Sequence, residues 1–86
     1  MKKRYVTKET AIKMVRKYLK NKFIPLYILT LPDKYIVCVS EDGERPAYDG
    51  LYQVDRDTGR VSGYSQFSST EALEEFKAAF ETMEKL

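Results

Sequence analysis

Apolar residues Ala11, Ile12, Val15, Tyr18 and Leu19 recur at spacings of three and four, which puts them on one stripe of a helix. Thr7 stands where its hydroxyl can accept from a backbone N–H of the first turn, so a helix is predicted from Lys8 to about Asn21. Lys13, Arg16, Lys17 and Lys20 repeat the spacing on the other side, giving this helix a basic outer face. From Ile24 the period changes. Leu26 to Leu31 and Tyr35 to Val39 are apolar, partly β-branched runs separated by Pro32-Asp33-Lys34. Proline and aspartate suit a tight turn, so the two runs predict an antiparallel hairpin.

Tyr48 to Asp55 predicts a third strand and Arg60 to Ser65 a fourth. Between them Arg56-Asp57-Thr58-Gly59 reads as a hairpin loop in which Gly59 supplies the positive φ and Asp55 or Thr58 caps the turn. Ser69 or Thr70 then caps a last helix with Glu71, Glu74 and Glu75 near its positive end. Ala72, Leu73, Phe76, Ala79, Phe80 and Met83 form its apolar stripe. The predicted fold is α+β: helix, four-stranded antiparallel sheet of meander-like order, helix, with both helices packed on the sheet.

Strands one and two are apolar on both faces, whereas two helices usually cover one face of such a sheet. Either Leu26, Ile28, Ile36 and Cys38 or Tyr27, Leu29, Val37 and Val39 would then stay exposed. Such a patch commonly marks an interface, so a homodimer through a sheet face, or a partner docking there, is expected.

A chain of 86 residues with 43% hydrophobic content is too apolar for disorder and too short for two cores. One domain spanning 1–86 is predicted, with residues 1–6 as a flexible basic N-terminus. The charge is polarised. Residues 1–22 hold nine Lys or Arg against one Glu, and residues 71–86 hold two against five Glu. No segment is long and apolar enough to span a bilayer, and the basic start lacks the apolar region of a signal peptide. No membrane association and a cytoplasmic location are therefore expected, which a lone cysteine fits.

There is no histidine and one cysteine. The imidazole base, the Ser-His or Cys-His pair and the Cys or His zinc set are thereby excluded. No cofactor, no metal site and no catalytic residue are expected, and the chain reads as a non-enzymatic binder.

Two surfaces are candidates. Glu41, Asp42 and Glu44 lie in the most loop-like stretch, and with Asp49 they form an acidic cluster beside Tyr48 and Tyr52. Charged loops next to tyrosine suit protein recognition, because tyrosine offers contact area at low entropy cost. The alternative is nucleic-acid association through Lys13, Arg16, Lys17 and Lys20, assisted by Lys2, Lys3 and Arg4, since clustered cations release counterions on a polyanion. The competing description of that stripe is a solvated face, or one paired with the acidic last helix. Asp55 to Gly59 begins like a calcium loop, but Gln66 stands where the bidentate Glu belongs, so it reads as a turn. Cys38, amid apolar neighbours, reads as a buried structural thiol.

The stretch Gly50 to Val61, with its Tyr52-Gln53-Val54-Asp55 and Thr58-Gly59-Arg60-Val61, resembles the hairpin of PepSY-like domains and of some small immunity proteins from bacterial toxin systems. Thr7, Glu9 and Ala11 resemble the start of the helix that precedes it in those groups. The resemblance implies that this helix packs on an antiparallel sheet. It also implies a non-enzymatic inhibitory or interaction role in a bacterium or mobile element, with another protein as partner.

Overall fold

A computed structural model describes residues 6–65 and 69–86, without the side chains of Tyr48 and Asp49. Helix α1 (Lys8–Tyr18) is followed by strands β1 (Ile24–Thr30), β2 (Lys34–Ser40), β3 (Pro46–Asp55) and β4 (Val61–Gly63). Helix α2 (Thr70–Ala79), a 3₁₀ turn (Phe80–Thr82) and strand β5 (Glu84–Lys85) complete the chain. The protein is α+β with an antiparallel sheet in the order β4-β3-β2-β1-β5.

Five strands are described where four were expected. The sequential part, β1 to β4, follows the meander, and β5 adds a fifth strand outside β1. At two residues, β5 is too short to announce itself by periodicity. It is held by pairing with Tyr27 and Ile28, and by Leu86, whose N–H donates to the Leu26 carbonyl.

Local chemistry sets the element ends. Thr7 Oγ1 accepts from Thr10 N–H at 3.2 Å and Ser69 Oγ from Ala72 N–H at 3.0 Å, the two N-caps. α1 stops at Tyr18, short of Asn21, because Lys20 (φ 55°) and Asn21 (φ 60°) turn left-handed and redirect the chain into β1. Asp55 Oδ1 accepts from Asp57 N–H at 2.7 Å and Thr58 N–H at 3.0 Å, and Gly59 takes φ +77°. That loop is the turn the sequence indicates. β3 begins two residues earlier than expected, and β4 is confined to three residues. α2 gives way to the 3₁₀ turn after Ala79, which leaves Met83 outside the helix and Phe80 and Met83 exposed. Residues 1–5, with Lys2, Lys3 and Arg4, lie outside the described residues, as does Gln66. Val6 of the expected flexible segment is held, its N–H donating to the Arg56 carbonyl at 2.7 Å and its carbonyl accepting from Tyr35 Oη at 2.8 Å.

The two helices lie on opposite faces of the sheet, not on one. Ala11 and Val15 of α1 pack with Ile28, Tyr35, Val37, Val39 and Val54. Phe76 and Ala79 of α2 pack with Leu29, Leu31 and Ile36. The expected groupings of exposed residues fail for a register reason. Leu29 stands opposite Ile36 and Ile28 opposite Val37, so even positions of β1 share a face with odd positions of β2. Each face thus has its own cover, and a sheet-face dimer loses the bare face on which it was argued. Burying each of these Val, Leu and Ile side chains stabilises by about 1.5–3 kcal/mol.

Candidate binding surface

The opposite placement of the helices decides how the charges meet. Lys13, Arg16 and Lys17 are exposed on α1, and Lys20 and Lys22 are exposed in the turn after it. Glu71 and Glu74 point to solvent from α2, with the sheet between the two sets. The described ion pairs involve other residues: Lys8 with Glu84, and Lys34 with Glu75 at 2.9 Å. Among the described residues, none of the five cations from Lys13 to Lys22 has an acidic partner. The pairing of this stripe with the acidic last helix is therefore absent among those residues.

The acidic constellation is described in part. Tyr52 lies on the α1 face of the sheet, packed against that core, with its ring 5.9 Å from that of Tyr18 in an edge-on contact at 63°. Glu41, Asp42 and Glu44 are exposed in the β2–β3 loop. Tyr48 and Asp49 have their backbone in β3, while their side chains lie outside what is described.

Within that loop Asp42 is a structural cap. Its Oδ1 accepts from the N–H groups of Glu44 at 2.9 Å and Arg45 at 3.0 Å and from the hydroxyl of buried Ser40 at 2.9 Å. The Arg45 and Glu44 amides, with the Ser40 hydroxyl, hold its carboxyl down to about 2, since donors to the carboxylate favour its charged form. Glu41 and Glu44 are thereby presented on a fixed backbone. The loop lies at the end of the sheet where Ile24 pairs with Ser40, and the Gly43 Cα faces Ile24, whose Cδ1 would stand 3.4 Å from a Cβ there. Lys20 and Lys22 lie four and two residues before Ile24 in the chain, so the segment entering this end is basic while the loop beside the exposed isoleucine is acidic.

Two further residues, Tyr18 and Gly63, matter here. Tyr18 belongs by spacing to the apolar stripe, yet it is 54% exposed at the last residue of α1. Gly63 stands opposite Tyr52 on β4, with nothing within 4 Å of where a Cβ would be. An open ledge therefore adjoins the two rings. The pairing of Tyr52 with a glycine follows from the Arg56–Gly59 loop, whose length fixes the register of the β3–β4 hairpin.

A shallow depression of about 340 Å³ lies between β2, β3 and β4, lined by Asp33, Lys34, Gln53, Asp55, Arg60 and Ser62. Partial burial works against the Lys34 charge, but the hydrogen bond and charge of Glu75, with Asp33 close by, outweigh it and raise the ammonium above its ordinary value. Such a lysine stays protonated, the opposite of an activated amine. Cys38 is buried, and desolvation pushes its thiol up, away from the reactive thiolate. Among the described residues no three acidic, Cys or His side chains converge as a metal site, and no helix is long and apolar enough to cross a membrane.

Compared with protein-family models, with curated proteins and with solved structures, the chain matches none.

Proposed function

We propose that the protein is a small non-enzymatic binding domain that acts by occupying another protein, in an inhibitor or immunity-type role, and that the partner presents an acidic surface to α1 and the turn after it. The observation that carries this is the set of five exposed cations, Lys13 to Lys22, left without acidic partners among the described residues because α2 lies across the sheet. Unmatched charge on a folded surface steers association with the opposite sign. The basic segment leading to Ile24 and the acidic loop beside it, with Glu41 and Glu44 on a preorganised backbone, suit a protein rather than a phosphate backbone, which those carboxylates repel. The inhibitory role rests on the resemblance of the β3–β4 hairpin.

The same cations support a second reading, nucleic-acid association. Both are tested by capture from cells of the native source, with the wild-type chain and with Lys13→Glu/Lys17→Glu, alongside titration of labelled single- and double-stranded oligonucleotides at two salt concentrations. One protein retained by the wild type and lost with the double variant supports the first reading. Oligonucleotide binding that falls steeply with salt and vanishes in the variant supports the second. Retention of the same protein by both chains removes α1 from the interface.

A further inference from the structure

The ledge formed by Tyr18, Tyr52 and Gly63 is the part of the α1 side that charge alone does not explain. A tyrosine ring at a helix terminus is free to turn toward solvent, yet this one lies edge-on against a second ring. Beside them the glycine leaves open space, and Lys17 precedes Tyr18 in the chain while Lys20 and Lys22 follow it within four residues. An aromatic surface with room next to it and charge at its border is the anatomy of an interface centre. Anchoring residues, tyrosine prominent among them, sit in a desolvated middle while a polar rim excludes water.

We infer that Tyr18 and Tyr52 form, over Gly63, the anchor point for an acidic segment of the partner protein carrying one aromatic or large aliphatic side chain between carboxylates. The anchor side chain fills the ledge against the two rings, and its flanking carboxylates meet the lysines around Tyr18. Charge complementarity selects this occupant: in this stretch of α1 and its turn, from Lys13 to Lys22, every charged residue is a cation. The edge-on rings offer a corner rather than a stacking plane, which favours a side chain over a nucleobase. This inference rests on the protein-binding reading above and adds to it the partner's chemistry and the residues that anchor it.

The test uses the full ¹⁵N-labelled chain and three probes: the capped peptide Glu-Glu-Phe-Glu-Glu, its counterpart with glycine at the centre, and a single-stranded oligothymidylate. Backbone amide shifts report where each binds. The Phe peptide is expected to move Tyr18, Tyr52 and Gly63 and to bind at least ~5-fold tighter than the Gly peptide, as an anchor in a pocket requires. Tyr18→Ala removes a ring, and Gly63→Val fills the ledge with a residue suited to a strand; each is expected to abolish the difference between peptides while the dispersed spectrum persists. Equal binding of the two peptides at α1 overturns the anchor and leaves the protein-binding reading standing. Oligothymidylate shifts on α1 with none from either peptide overturn both, as does the absence of any shift from all three probes.

Discussion

The Ser40 hydroxyl donates to Asp42 Oδ1 at 2.9 Å, and the same oxygen of Ser40 accepts from the N–H groups of Asp42 at 3.2 Å and Gly43 at 2.9 Å. Ser40 is fully buried at the end of β2, so the core side of the β2–β3 loop is anchored by a polar group with its hydrogen bonds made.

The acid behaviour of the loop follows from this. The folded pKa of Asp42, about 2, lies below its ordinary value of 3.8. Its contribution is thus present above about 3.8 and is lost as pH falls through about 2, because protonation removes the acceptor that the amides require. Carboxyl chemical shifts are expected to titrate with a midpoint near 2 and to be accompanied by shifts of the Glu44 and Arg45 amides. A midpoint near the ordinary value would mean the cap is not formed in solution. Ser40→Ala strands two backbone donors and is expected to cost about 1–3 kcal/mol in denaturant unfolding.

Gly50 and Gly63 are expected to respond oppositely to alanine. At Gly50 a Cβ would lie 2.8 Å from both the Ala47 and Val39 carbonyl oxygens, and backbone atoms move only at a cost. Gly50→Ala is predicted to destabilise by about 1–3 kcal/mol, as overpacking does. Gly63 has a free Cβ position, so Gly63→Ala is predicted to stabilise by about 0.4–1 kcal/mol through the unfolded chain. Urea midpoints for the two variants on either side of wild type are the result that fits.

How much of this was open to reading depended on range. The caps at Thr7 and Ser69 and the Asp55–Gly59 turn are made by residues within four positions of one another, and the sequence shows them plainly. The side of the sheet that α2 takes was hidden, because it turns on the parity of the Thr30–Tyr35 register and on a crossover that ends in a two-residue strand. The same holds for the surface. The cations are visible as a helical stripe, but whether acidic residues neutralise them depends on where a helix fifty residues later is placed. Tyr18 meets Tyr52 across thirty-four positions, and no local pattern announces that contact.

At the β1 edge beyond β5, Thr82 Oγ1 accepts from Thr30 N–H at 2.8 Å and lies 2.6 Å from the Ala79 carbonyl oxygen. A side chain here takes the place of a missing strand neighbour and also closes the end of α2. Thr82→Val keeps the shape and removes the hydroxyl, so a loss of about 0.5–1.5 kcal/mol is expected, together with faster amide exchange at Thr30. Unchanged exchange there would show that the contact contributes nothing to holding the edge.

Lys20 sets stability against binding at one position. Its backbone is left-handed at φ 55°, a conformation that costs a residue with a Cβ about 1–2 kcal/mol and glycine little. Nothing in its described contacts offsets that cost: the side chain is exposed, and the N–H donates to the Lys17 carbonyl at 3.1 Å as any residue's would. Lys20→Gly is therefore expected to raise the unfolding free energy by about 1 kcal/mol while weakening capture of the partner proposed for the α1 side. Lys20→Asn supplies the control, since asparagine tolerates the same conformation and also removes the charge. If both variants stabilise and both lose partner binding, the lysine is held in a strained position for its charge. If both stabilise with binding intact, Lys20 lies outside the contact and the cationic surface is confined to the helix proper.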